Sequence, residues 1–190
     1  MCKKFKPLFV LILLSGIGTQ LPPYALGETQ KEQSTFGTEE LPGIPLVKHP
    51  VTLPSSVLHI LSADVDVTGC LSTNPLPPRK PLASLFIGSE VHLDGSGERD
   101  LVIVPVPDYG CFLSATGIGI FWVFRKTANS YELVLKASGS GLSILTAKHC
   151  GHRDIQTGTI GRAGREFTTI TFRFDAKEYR QYRYTTKQRR

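Results

Sequence analysis

Nowhere does this sequence string together the roughly 20 apolar residues that a membrane-spanning helix needs. It has no Cys-x-x-Cys and no His-Glu-x-x-His, the spacings that mark most zinc sites. The glycine pair Gly117-Ile118-Gly119 has no helix pattern after it to carry a phosphate. Gly139-Ser140-Gly141 lacks the outer glycine spacing and the following helix of a nucleophile elbow. No two carboxylates stand out as a glycosidase pair. Charge of one sign is also scarce. The formal net charge is +6 over 190 residues, an ordinary balance that does not mark a nucleic-acid partner by composition. These absences leave no complete catalytic motif, so whether the chain is an enzyme stays open and a non-enzymatic role is favoured.

What is present starts at the N-terminus. Lys3, Lys4 and Lys6 precede an apolar run from Leu8 to Leu14, and Ala25 and Gly27 follow as small residues two apart. A basic start, a short apolar core and a small-x-small exit form the pattern of a secretory signal peptide. The expectation is cleavage near Gly27 and export to the periplasm or the extracellular space. About 163 residues would remain, a suitable length for one domain. Half of the formal charge leaves with the three lysines, so basic character concentrates at the C-terminus.

Cysteines are few: Cys2, Cys70, Cys111 and Cys150. Cleavage removes Cys2 and leaves three in an oxidising compartment, where at most one internal bridge forms and one thiol is left over. Three pairings are open. Cys70 follows the helix candidate and Cys111 follows a buried strand candidate, which favours Cys70–Cys111 as a tie between helix and sheet.

The rest reads as a mainly β (α+β) domain. Residues 28–50 are polar and then rich in proline, and are expected to form a flexible leader. Leu53 to Ala63 is the one helix candidate, with Pro54 at its start and Val57, Leu58 and Leu61 on one face. From Leu85 the pattern is short apolar or alternating runs separated by turn residues. Leu101-Val102-Ile103-Val104 is expected to be buried on both faces. In Phe167 to Phe174, Phe167, Thr169, Thr171 and Arg173 alternate with Thr168, Ile170, Phe172 and Phe174. The expectation is an antiparallel meander of seven to eight strands with one short helix packed on it, spanning 51–184, followed by a basic tail at 185–190.

Four segments carry a resemblance. His92-Leu93-Asp94-Gly95-Ser96-Gly97-Glu98-Arg99-Asp100-Leu101-Val102-Ile103 resembles the Asp-x-Asn-Gly-Asp-Gly-x-x-Asp-Leu-x-Val element of FG-GAP-like repeats, whose acidic loop binds calcium between two strands. The corresponding ligand positions are His92, Asp94, Ser96 and Asp100, and two of the four lack a carboxylate. No cofactor is expected beyond a weak calcium site at Asp94, Ser96 and Asp100, because calcium affinity rises with carboxylate count. The competing reading is a glycine turn in which Asp94 folds over its own backbone. The element occurs once, which argues against a complete propeller. Together with Phe121–Lys126, Tyr131–Leu135 and Gly151–Ile155, it is similar to a group of small exported bacterial proteins of unknown function. That likeness covers Leu85 to Tyr182 and implies a compartment and a β fold, not an activity.

Two clusters bear on function. His149-Cys150-Gly151-His152-Arg153-Asp154 gathers reactive side chains. One reading is a thiol enzyme or hydrolase with Cys150 as nucleophile, His152 as base and Asp154 orienting it. A second is a metal site at His149, Cys150 and His152, which lacks a fourth ligand. The third is a structural turn. The other cluster is C-terminal: Arg173, Lys177, Arg180 and Arg183 interleave with Phe174, Tyr179, Tyr182 and Tyr184. Such a strand suits an anionic surface or a protein partner at the cell envelope, and the alternative is a solvated final strand.

Overall fold

A computed structural model describes residues 34–38, 46–107, 110–161 and 165–188. The expected signal peptide and the last two residues of the basic tail lie outside the described residues. The chain is mainly β, and the described residues form nine strands, two short α-helices and two sheets. The strands are β1 (Thr35–Gly37), β2 (Phe86–Val91), β3 (Asp100–Pro105), β4 (Gly119–Lys126), β5 (Tyr131–Gly139), β6 (Gly141–His149), β7 (His152–Gly161), β8 (Glu166–Phe174) and β9 (Tyr179–Gln188); the helices are α1 (Ser55–Ser62) and α2 (Val65–Thr73). All strand pairs are antiparallel, in a four-stranded sheet of order β2-β3-β4-β5 and a five-stranded sheet of order β1-β6-β7-β8-β9. Among the described residues no helix is long and apolar enough to cross a membrane.

The four-stranded sheet is the middle of three layers. Side chains alternate across a strand, so Val102 and Val104 of β3 join Phe121 and Val123 of β4 on the side facing the other sheet. Leu101 and Ile103 join Trp122 and Phe124 on the side facing the helices. This is the burial on both faces expected of the Leu101–Val104 run, and all of β3 is buried. Trp122 is fully buried, with its ring edge-on to Phe86 and Phe112 at centroid distances of 5.5 and 6.0 Å.

The helical layer departs from expectation. Alongside α1, whose Val57 and Leu61 are buried, a second helix forms over Val65–Thr73. Asp64 caps it, accepting hydrogen bonds from the amides of Asp66 at 2.9 Å and Val67 at 3.4 Å. Valine, threonine and glycine in this helix each cost up to about 1 kcal/mol relative to alanine. A helix cap contributes about 1 kcal/mol and a fully buried valine roughly 1.5–3, so context outweighs propensity. Cys70 therefore lies within α2 and does not follow the helical segment. Its sulfur sits at disulfide distance from Cys111, with Cα atoms 5.5 Å apart across 41 residues of sequence, and joins α2 to the turn after β3.

Two further corrections concern the ends of the domain. Thr35–Gly37, inside the expected leader, pairs with β6 as an edge strand, and Phe36 is fully buried. At the other end, β9 continues to Gln188, so most of the expected tail is strand. The expected antiparallel meander is divided between two sheets, β2 to β5 in one and β6 to β9 in the other. The chain steps between them at Gly139-Ser140-Gly141, where the Ser140 amide donates to the Gly158 carbonyl at 2.7 Å. A Cβ on Gly139 would lie 3.0 Å from that same carbonyl oxygen, a tight approach that favours glycine at the corner.

Candidate functional site

The reactive cluster forms the hairpin turn between β6 and β7. His149 pairs with His152, and the two turn residues Cys150 and Gly151 have φ of 50° and 83°. Two left-handed residues make the turn whose twist matches a hairpin, with glycine favoured at the second position. Asp154 is nearly inaccessible, and its Oδ1 lies 2.6 Å from His149 Nδ1. Its Oδ2 lies 3.4 Å from Arg173 Nε. The Arg173 guanidinium sits 3.2 Å from the centroid of the Tyr182 ring, and His149 stacks on that ring at 6.4 Å.

His152 belongs to a different set of contacts. Its Nδ1 is 3.2 Å from the Cys150 carbonyl oxygen, its ring stacks on Phe174 at 3.8 Å, and its Nε2 is 3.5 Å from Asp94 Oδ2. The carboxylate expected to orient His152 therefore holds His149. Cys150 is disulfide-bonded in this uncleaved chain, and among the described residues no cysteine is free. Arg153 is built into the scaffold. Its guanidinium donates to the carbonyls of Leu145 at 2.9 Å and Ile144 at 3.2 Å, where the β6–β7 register shifts. Its carbonyl accepts from the Tyr179 hydroxyl at 2.7 Å. Burial, followed by the nearby carboxylates of Asp100, Asp154 and Asp94, raises that phenol far above its usual range.

The acidic turn between β2 and β3 is closed by its own backbone. Asp94 Oδ1 accepts from the Ser96 amide at 2.8 Å, and Ser96 Oγ accepts from the Glu98 amide at 3.1 Å. His92 Nδ1 is 3.2 Å from the Glu98 carbonyl oxygen. Asp100 is buried, with Oδ2 accepting from the Leu93 amide at 3.0 Å and Oδ1 from the Lys126 amide at 2.8 Å. Burial raises the Asp100 carboxyl above its usual value, against those two amides, and the Asp94 charge adds to the rise. For Asp94 burial also pulls upward, but the Ser96 hydrogen bonds and the charges of His152 and Arg125 outweigh it and hold the carboxyl low. Among the described residues no cluster of three or more His, Cys, Asp or Glu is arranged to hold a metal ion.

The remaining surface is the outer face of the five-stranded sheet. Directly paired residues in antiparallel strands share a face. Thr171 pairs with Gln156 and with Arg183, Thr169 with Gly158 and Thr185, and Phe167 with Ile160 and Lys187. A groove of about 100 Å³ runs over this face, lined among others by Ser143, Gln156, Gly158, Ile160, Phe167 and Thr169. Phe167 and Ile160 are 46% and 47% exposed. The sequence-named bases divide. Arg173 pairs with Asp154, Arg180 pairs with Asp175 and Glu178, and Lys177 sits in the turn beyond β8. Arg183 remains on the face, 5.6 Å from the Tyr182 ring centroid, and Lys187 joins it. The Arg173 and Arg183 guanidiniums hold the Tyr182 phenol below its usual range.

Comparisons with protein-family models, curated proteins and solved structures gave no match. Phe167, Gln156, Gly158 and Lys187 were not marked out by sequence reasoning as site residues. The alternation of Phe167, Thr169, Thr171 and Arg173 already assigned part of this face. The glycine floor supplied by β7 depends on a pairing register that one strand's sequence does not carry.

Proposed function

We propose that the chain is exported and that its mature part is a non-enzymatic module binding an anionic component of the cell envelope. The observation that carries this reading is β9. It is a ten-residue strand at the edge of its sheet, with Tyr182 and Tyr184 at 50% and 60% exposure and with Arg183 and Lys187 on the outer face. An exposed edge offers backbone hydrogen-bonding groups to a partner. The positive side chains steer anions toward the face and weaken their grip as salt screens them. The only acid that the register places on the described β7–β9 outer face is Asp154, which is buried against His149 and Arg173.

Export is supported by the basic, apolar and small-residue succession at the N-terminus and by the Cys70–Cys111 pair at disulfide distance, a linkage suited to an oxidising compartment.

The test compares wild type with the double variant Arg183→Glu, Lys187→Glu for retention on envelope fragments. Wild type is expected to bind at low ionic strength and to be released near 0.3 M salt, where screening lengths fall to about 6 Å. The variant is expected to lose at least tenfold in retention at low salt. Equal retention of the two would contradict the proposal.

A further inference from the structure

The outer-face groove has a chemistry narrower than "anionic". Resting on the binding-module reading above, we infer that it is a saccharide subsite whose ligand is an acidic glycan. Phe167 leans over Gly158: a Cβ placed there would lie 3.1 Å from Phe167 Cζ and 3.3 Å from Cε2. The glycine thus lets the ring settle across the sheet, and nearly half of the residue stays exposed. An exposed aromatic ring offers apolar area at low entropic cost, which suits the C–H face of a pyranose.

The groove surface is mostly apolar, with hydroxyl and amide side chains among the residues that line it. Ser143 and Thr169 carry hydroxyls that both donate and accept, and the Gln156 amide is held in place by donating to Thr171 Oγ1 at 3.2 Å. A polyol needs such two-way partners around its rim. A membrane-inserting surface instead needs a broad apolar face, and here Ile160 and Phe167 are set among glycine, serine and threonine. At about 100 Å³ the groove is far smaller than the ~300 Å³ or more of a cavity that encloses a small ligand. It fits one sugar unit of a chain lying across the sheet. Charge completes the match: Lys187 is the direct cross-strand neighbour of Phe167, and Arg183 that of Thr171. A sugar seated on Phe167 therefore presents an acidic substituent to cations on β9.

The experiment measures equilibrium binding of the oxidised protein to polygalacturonate, dextran sulfate and heparin. Neutral dextran and phosphatidylglycerol vesicles serve as the other arms. Wild type is expected to bind at least one acidic polysaccharide, with neutral dextran at least tenfold weaker. Phe167→Ala is expected to weaken that binding at least tenfold, with an unchanged circular dichroism spectrum and melting cooperativity. Phe167→Tyr, which keeps the ring, is expected to stay within about threefold of wild type. Unchanged binding by Phe167→Ala overturns the inference, because charge alone would then account for affinity. Binding to the vesicles and to no polysaccharide overturns the inference and leaves the anionic-envelope reading standing. Binding to neither overturns both.

Discussion

At Asp64 three kinds of contact converge on one carboxylate. It caps α2, it accepts a hydrogen bond from the Trp122 indole at 3.3 Å, and it pairs with Lys136 at 2.9 Å. Lys136 also pairs with Asp66. Burial alone would raise the Asp64 carboxyl, but Lys136, the Asp66 amide and the indole outweigh burial and hold it below its unperturbed 3.8. A depressed carboxyl stabilises the fold above its unfolded value, and this contribution is lost as pH falls through the folded value. Asp64→Ala removes the cap and orphans the indole N–H, so it is expected to cost about 2–4 kcal/mol at pH 7. Urea denaturation should show that gap shrinking below pH 3.8, and an equal gap at pH 7 and pH 2.5 would count against the assignment. Asp100 acts in the opposite sense. Its raised carboxyl favours the protonated folded state, so its contribution falls as pH climbs past the unfolded value. Neither role was legible in the sequence. The helix pattern stopped at Ala63 with Asp64 unassigned, and the partners Trp122 and Lys136 lie 58 and 72 residues away.

At the scale of elements, strands with strong alternation or a solid apolar run were legible, and short or context-stabilised elements were not. The eight strands from β2 to β9 fall where β-rich runs alternate with turn residues. The β1 strand has three residues in a polar, proline-rich setting and exists because Phe36 enters the core beside β6. The α2 helix is built from weak helix formers and is held by its cap, by Val67 and Cys70 facing the core, and by the Cys70–Cys111 pair. Closing a loop of that length limits the unfolded chain by up to about 4 kcal/mol. Replacing both residues by serine is therefore expected to lower the unfolding free energy by about 2–4 kcal/mol. Hydrogen exchange should show α2 amides losing protection ahead of the β3–β4 core. Uniform loss across both would place the bridge outside α2's support. The pairing itself is checked by peptide mapping of the unreduced protein.

For the molecule as a whole, the division of strands between two sheets decides which surface is left open. The four-stranded sheet is covered by helices on one side and by the second sheet on the other, so it has no free face. The five-stranded sheet buries its inner face near β6 and β7, through residues such as Leu142, Ile144 and Ile155, and leaves its outer face exposed. The meander expected from the sequence did not reveal the division between sheets, because Gly139-Ser140-Gly141 reads as another tight turn. Its true role, a step between sheets, depends on close approach to Gly158, which no local pattern encodes. The candidate site was legible in part for the same reason. The basic and aromatic character of β9 is visible in one dimension, whereas pairing sets Arg180 beside Asp175, Arg173 against Asp154, and Lys187 across from Phe167.

The central claim is that this outer face receives an anionic partner. It is tested most directly by residue-resolved NMR titration of the oxidised protein with dextran sulfate. The account predicts saturable amide shifts confined to Gln156–Ile160, Phe167–Thr171 and Arg183–Lys187, reversed by about 0.3 M salt. Shifts centred instead on the His149–Asp154 turn, or no shifts at low salt with any of the acidic polysaccharides or the phosphatidylglycerol vesicles, would contradict it.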